Sequence, residues 1–478
     1  MNDVDWDARW RELVFPSAYR NPQPAPRYNL VVIGAGPAGL ITSIAAAGLG
    51  AKVALIERHA MGGDCLNVGC VPSKTLLAAG SAGLGFDAAM ARVRAVRAQI
   101  SAHDSVERYM KAGVDVFLGD AAFVSAREIR VGDALLRTSK TVIATGARAA
   151  IPPVPGLAEL APLTNETVFD LRAQPKRLAV LGAGPIGCEL AQAFARLGTQ
   201  VDVVEVQSRA LPADEPEAAT LVVRALEHDG VRFHFDAKVE AASRSASGKV
   251  LTLAGGKRIE ADAVLVAAGR RRNLESLELE RVGVRFDVRS GIEVNERLQT
   301  SQPGIYAAGD VCSRYQFTHN ADAQARIVIR NALFAGRARA DKLVVPWCTY
   351  TKPEVAHAGA TRAELDAAKR AFEPFRAEFG DLDRGRTDDG ADGYAEVLLA
   401  RGSDRILGAT IVGKDAGEQL APLVLMMQNG LGLGALGSVV LPYPTRSEYL
   451  RRLADAYNRT RLTPFAARTL RWWLARTR

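Results

Sequence analysis

Cys65 and Cys70 stand five positions apart in the stretch 61–74, just ahead of a helix start signalled by Pro72. Thiols at this spacing can alternate between disulfide and dithiol and so carry electron pairs. They can also bind a metal or fill a core, and spacing alone leaves those readings open. A cysteine in the first turn of a helix meets the positive end of the helix dipole, which favours its thiolate and lowers its pKa. No second ligand pair in the chain has zinc-like spacing, and Cys188, Cys312 and Cys348 read as small buried residues.

The elements on either side give that pair a context. Residues 30–33 read as a buried strand, Gly34, Gly36 and Gly39 as a tight turn, the residues to about 50 as a small-residue helix, and 52–57 as a second strand ending in Glu57. Glu57 lies 23 residues after Gly34, as a dinucleotide-binding βαβ unit requires: glycines for close backbone approach, helix amides for the phosphates, the acid for a ribose. The pattern repeats with a strand at 177–181, Gly182, Gly184 and Gly187, a helix at 188–197 and a strand at 200–205 ending in Glu205. Two such units imply two nucleotides, or a nucleotide and a flavin. Glu205 would repel a 2′-phosphate and favours NADH, whereas Arg209 nearby keeps NADPH open. Three further strands run into glycine, at 141–146 with Thr145 and Gly146, 263–269 with Gly269, and 304–310 ending Gly-Asp310, where a doubly wound fold places ligand contacts.

The other segments frame these units. Residues 1–27, with Pro16, Pro22, Pro24 and Pro26, read as an irregular arm, and 90–106 as a solvent-faced helix. From about 346 the pattern changes to antiparallel strands and helices of a separate α+β domain, and 461–478 is a basic tail.

Composition excludes several classes. Of 478 residues, 48% are hydrophobic and 24% charged, which is ordinary for a soluble globular chain and excludes disorder. The net charge of +8 is scattered and aromatics are only 6%, so no nucleic-acid partner is expected. Uncharged runs at 30–51 and 419–445 are broken by glycine or proline, and no transmembrane helix is expected. Five sparse cysteines and an acidic start without a signal sequence fit the reducing cytoplasm.

Taken together, both glycine turns, Gly63, Cys65 to Lys74, residues 144–146, residues 308–310 and the C-terminal domain resemble the flavin-dependent pyridine nucleotide-disulfide oxidoreductases, the family of dihydrolipoamide dehydrogenase, glutathione reductase and mercuric reductase. The likeness runs from about 28 to 457. It implies an α/β fold with two Rossmann-like domains, one for FAD (28–155 and 281–345) and one for NAD(P) (156–280), plus an α+β dimerisation domain (346–460) of a homodimer. By resemblance Gly34, Gly36, Gly39, Glu57, Gly63, Thr145, Gly146 and Asp310 would contact FAD, and Gly182, Gly184, Gly187, Glu205 and Gly269 the nicotinamide cofactor. Lys74 and Glu189 would pair near the flavin, Cys70 would face it as the thiolate, and Cys65 would be the interchange thiol that meets the acceptor.

Two departures bear on that acceptor. Family disulfide reductases carry His-Pro-Thr-x-x-Glu from the partner subunit; here the run 443–448 begins with Tyr443 and ends with Glu448. Tyrosine, with a reference pKa of about 10, is a poor base at neutral pH. Mercuric reductases share the tyrosine, although this chain has Leu441 where many relatives have histidine, and no cysteine follows Cys348 to form a metal-delivering C-terminal pair. His59, His103, His228, His234, His319 and His357 are the candidate replacement bases, His319 lying in a segment that resembles one near the flavin. The sequence therefore points to a mercuric-reductase-like oxidoreductase, with dihydrolipoamide dehydrogenase or another disulfide reductase, and a redox-sensing flavoprotein, as alternatives. The tail, with six arginines from Arg459 onward plus Trp472 and Trp473, reads either as a membrane-surface helix or as a dimer contact.

Overall fold

The computed structural model describes residues 4–246, 248–388, 390 and 392–478 and divides into two compact units. Met1–Val206 with Gly230–Lys342 form the first, and Gln207–Asp229 with Leu343–Arg478 the second.

The first unit holds two parallel sheets. One is ordered Val114–Leu118, Val53–Glu57, Tyr28–Ile33, Ala134–Ile143 and Ile305–Ala307. Its strands are near-continuous apolar runs because helices cover both faces of such a sheet. Leu30, Val31, Val32, Val53, Ala54 and Leu55 are fully buried, each leucine or valine side chain adding about 1.5–3 kcal/mol. Strand Ala134–Ile143 changes partners along its length: its start pairs antiparallel with Glu128–Val131, its end parallel with Tyr28–Ile33 and Ile305–Ala307. The second sheet is ordered Val231–His234, Gln200–Val204, Arg177–Leu181 and Ala263–Val266, and a separate three-stranded antiparallel sheet spans Val239–Ser245, Gly248–Leu253 and Arg258–Ala261.

Two local expectations are corrected. The N-terminal arm contains a helix, Trp6–Val14, capped by the Asp5 side chain, which accepts from Ala8 N–H at 2.9 Å. The helix expected over 90–106 as solvent-faced spans Phe86–Ser101 and buries Met90, Val93 and Arg97. Arg97 can be buried because Asp7 supplies its counter-charge at 2.9 Å.

The second unit is built on a five-stranded antiparallel sheet ordered Pro346–Thr349, Glu354–Gly359, Ile406–Gly413, Tyr394–Ala400 and Phe372–Glu378. Leu420 and Leu423 of helix Ala416–Gln428 and Leu450 and Leu453 of helix Glu448–Thr460 share its core with Val397, Leu399 and Ile411. Helix Pro216–His228 belongs to this unit, tied by Arg376 to Glu217 at 2.6 Å. The tail forms helix Pro464–Arg476, which has no buried residue.

Candidate active site

The cysteine stretch lies on two consecutive helices. Gly62 and Gly63, with φ of 96° and 58°, turn the chain into the short helix Gly63–Asn67 that carries Cys65. Gly69 then caps helix Cys70–Ser81, so Cys70 is its first residue. A second helix, Thr318–Leu333, starts at the same sulfur: Thr318 Oγ1 lies 3.5 Å from Cys70 Sγ. Two positive helix ends and a hydroxyl thus converge on Cys70.

Neither cysteine is in a disulfide, and a hydrogen bond between the two sulfurs sets their acidities apart. That bond holds Cys70 well below the ordinary thiol range, with Thr318 and the Lys74 ammonium assisting against burial. The same bond, together with burial, pushes Cys65 up. The pair is therefore polarised, thiolate at Cys70 and thiol at Cys65. Lys74, one turn along the Cys70 helix, reaches Glu189 Oε2 at 2.7 Å and ties that helix to Pro185–Arg196 of the second βαβ unit.

The first glycine turn has the shape of a nucleotide cradle. A Cβ on Gly34 would lie 2.4 Å from Ala144 O, on Gly39 1.8 Å from Gly34 O, and on Gly63 2.5 Å from Gly36 Cα. The last contact brings the cysteine stretch directly against the turn. Glu57, pushed up by burial, accepts from Ala35 N–H at 2.7 Å and His59 N–H at 2.8 Å. Thr145 and Asn273 are locked together, Thr145 Oγ1 donating to Asn273 O at 2.7 Å, and Gly146 accepts from Asn273 N–H at 3.1 Å. A cleft lined by Gly34, Glu57, Gly119, Thr145, Asn273 and Leu277 adjoins the turn. Arg270 pairs with Asp64 at 2.6 Å and Asp310 at 3.6 Å, and burial pushes Asp310 up. Arg270 Nε and Arg272 Nε are buried without a partner among the described residues, donors that suit an anionic ligand. These features fit FAD.

The second turn repeats the arrangement. Gly182, φ 104°, could not carry a Cβ without meeting Ala267 O at 2.6 Å, and Gly187 would meet Gly182 O at 2.0 Å. A Cβ on Gly184 would meet nothing within 4 Å, which leaves room for a pyrophosphate at the helix start. Glu205 accepts from Ala183 N–H at 2.7 Å, and Gly269 O accepts from Ala150 N–H at 3.0 Å. A nicotinamide dinucleotide fits this turn.

Tyr443 and Glu448 lie in the second unit. Tyr443 is 72% exposed and its hydroxyl donates to Asp383 Oδ2 at 2.6 Å, while Glu448 pairs with Arg452 at 2.9 Å. Among the histidines, His319 stacks on Phe317 at 5.4 Å, His234 bonds Asp202 at 2.8 Å, and burial pushes His357 down to about 4, where it is neutral. Cys188 donates to Ala183 O at 3.3 Å, and burial pushes Cys312 up to about 12. Among the described residues no cluster of His, Cys, Asp and Glu could hold a metal, and no helix is long and apolar enough to cross a membrane. Sequence reasoning missed Thr318, Asn273 and Arg270. Arg270 follows Gly269 directly, so the strand-then-glycine signal passed within one residue of it.

Residues 28–325 match the family described as pyridine nucleotide-disulphide oxidoreductase, and 345–454 match its dimerisation domain. A mercuric reductase of Staphylococcus aureus is 33% identical over 90% of this chain and 83% of its own length. A dihydrolipoyl dehydrogenase of Thermus scotoductus is 35% identical over 90% and 98%. Among solved structures, the Cu(II) complex of the HOCl-induced flavoprotein disulfide reductase RclA from Escherichia coli superposes with a TM-score of 0.84 at 28% identity, covering 90% of this chain and 100% of that one.

Proposed function

The chain belongs to the pyridine nucleotide-disulphide oxidoreductase family, and on that premise we propose that it takes electrons from NADH and delivers them through Cys65 and Cys70 to a thiophilic metal ion. The observation that carries this reading is the placement of Cys70 at two helix starts and against Thr318, with Cys65 on the short helix just before it. FAD, the family's flavin, supplies the hydride acceptor that links nicotinamide to sulfur. The residues that would hold it are Gly34, Gly36, Gly39, Glu57, Gly63, Thr145, Gly146 and Asp310. Gly182, Gly184, Gly187, Glu205 and Gly269 would hold the dinucleotide. NADH is favoured over NADPH on two grounds. Glu205 repels a 2′-phosphate, and the Arg209 guanidinium is already committed to the carbonyls of Ala210, Leu211 and Pro212.

The acceptor follows from the proton inventory. A disulfide acceptor needs a proton returned to its leaving sulfur, and Tyr443 serves badly: its hydrogen bond to Asp383 raises its pKa further. A metal ion asks only for soft ligands. Oxidation of the thiol-thiolate pair to the disulfide releases two electrons and one proton, and the two electrons are enough to reduce one Hg(II) to the metal or two Cu(II) to Cu(I). Relatives named mercuric reductase and the Cu(II)-bound RclA structure support this substrate class. In the homodimer Tyr443 and Glu448 act across the interface. The tail helix Pro464–Arg476 is proposed to rest on an anionic membrane surface, and a cytoplasmic location suits a cysteine pair that cycles through its reduced form.

Anaerobic titration with NADH and with NADPH tests the reading. A long-wavelength charge-transfer band should grow, vanish in Cys70→Ser and persist in Cys65→Ser. A flavin reduced by NADH with no band in the wild type overturns it. Turnover with Hg(II) or Cu(II) should exceed that with lipoamide.

A further inference from the structure

The N-terminal helix Trp6–Val14 precedes residue 28, where the family match begins, yet its contacts end on the cysteine stretch. Trp10 Nε1 donates to Asn67 Oδ1 at 2.7 Å. Asn67, two positions after Cys65 and 5% exposed, donates in turn to Met61 O at 3.0 Å and Gly63 O at 2.8 Å. Its amide thus closes the segment between Met61 and Asn67 on itself, with Cys65 inside the closure. Met61 N–H donates to Val14 O at 3.1 Å, so the helix holds both ends of that segment. Arg97 locks the helix in place: its guanidinium lies 3.9 Å over the Trp10 ring, donates to Asp7 at 2.9 Å and to Asn67 O at 3.3 Å, and is 2% exposed. Arg172 reaches the other oxygen of Asp7 at 2.5 Å.

A buried arginine with a stacked indole and a paired carboxylate is a costly arrangement to keep for a loose arm. None of these groups belongs to either nucleotide turn. What they share is the segment carrying Cys65.

We propose that the N-terminal helix is a brace for the interchange cysteine, with Trp10 and Asn67 as positioning residues that set how far the Cys65 segment opens. The proposal rests on the dyad reading above. It assigns a role to residues 6–14, which lie outside the matched residues 28–325. Opening of the segment governs how fast Cys65 meets a reagent or acceptor, whereas Cys70, on its own helix, is not held by the brace.

The test uses the full-length holoenzyme reduced with NADH. Trp10→Phe keeps an aromatic ring beside Arg97 and removes the indole donor together with one ring of bulk. Loss of that one hydrogen bond should speed alkylation of Cys65 by iodoacetamide about fivefold, read by peptide mass spectrometry, and leave the Cys70 rate unchanged. Trp10→Ala should speed it further. The dithiol-disulfide equilibrium in dithiothreitol buffers should shift in the same order. Thermal melting of Trp10→Phe, within about 4 °C of wild type, separates this from global loosening. Cys65 alkylation and redox equilibrium both unchanged in Trp10→Phe, or equal acceleration at Cys70, overturns the brace. Failure of the dyad reading looks different: NADH would then leave the count of alkylatable thiols unchanged in the wild type.

Discussion

Cys70 gathers two helix starts, a hydroxyl and an ammonium around one sulfur, and its acidity should report each of them. A thiolate held below its unfolded value is fully present above that value and is lost as pH falls through the lowered one. In the reduced enzyme Cys70 should therefore alkylate under weakly acidic conditions where Cys65 is silent. Thr318→Val should move the Cys70 midpoint up by about one unit; an unmoved profile would show that the hydroxyl does not act on the sulfur. Tyr443→His tests the proton argument, and should raise lipoamide turnover by about a hundredfold while leaving metal reduction unchanged. Equal turnover in both enzymes would place the cause elsewhere. Cys65 and Cys70 were legible because their type and local spacing suggest the chemistry, whereas Lys74 and Glu189, 115 residues apart, were singled out only through the family resemblance. Thr318 was not, since a threonine 248 residues beyond Cys70 carries no signal of its own. The neighbouring His319 drew attention because histidine titrates near neutrality, yet its ring stacks on Phe317.

The glycine turns separate structural from ligand-facing roles. Gly39→Ala places a methyl 1.8 Å from a backbone oxygen, so the turn must deform, and the purified protein should contain little flavin. Gly184→Ala meets nothing within 4 Å and its φ of −74° suits alanine, so flavin content should stay at the wild-type level. Its methyl occupies the space left for the pyrophosphate, and the Kd for NADH should rise about tenfold. Normal NADH affinity would remove Gly184 from the contact. Both turns were legible because strand, glycines, helix and terminal acid fall at fixed spacing. The N-terminal helix was not: four prolines dominate residues 1–27, but all of them follow its end at Val14. Arg97 was misplaced for a related reason, its counter-ion Asp7 lying 90 residues away.

At the scale of the molecule, residues 207–229, expected within the NAD(P) domain, group with the C-terminal unit, which depends on ion pairs such as Arg376 with Glu217 that no local pattern announces. The tail belongs to this scale too. Phe465, Leu470, Trp473 and Leu474 fall on one side of its helix and Arg468 and Arg471 on the other, and no acid follows Asp455. At about 20 Å the helix is too short to span a bilayer. The full-length protein should float with phosphatidylglycerol vesicles and not with phosphatidylcholine ones, and Trp472→Ser with Trp473→Ser should release it. No flotation, with a concentration-dependent change in oligomer size instead, would assign the tail to the dimer. The order of strands has a further consequence for synthesis. The sheet spanning 177–266 is complete when its last strand leaves the ribosome, but the flavin sheet waits for Ile305–Ala307, and Cys70 waits for Thr318. The nascent chain therefore carries its two cysteines unguarded through most of translation, and oxidants that reach the polysome should trap mispaired cysteines in this protein before they inactivate the finished enzyme.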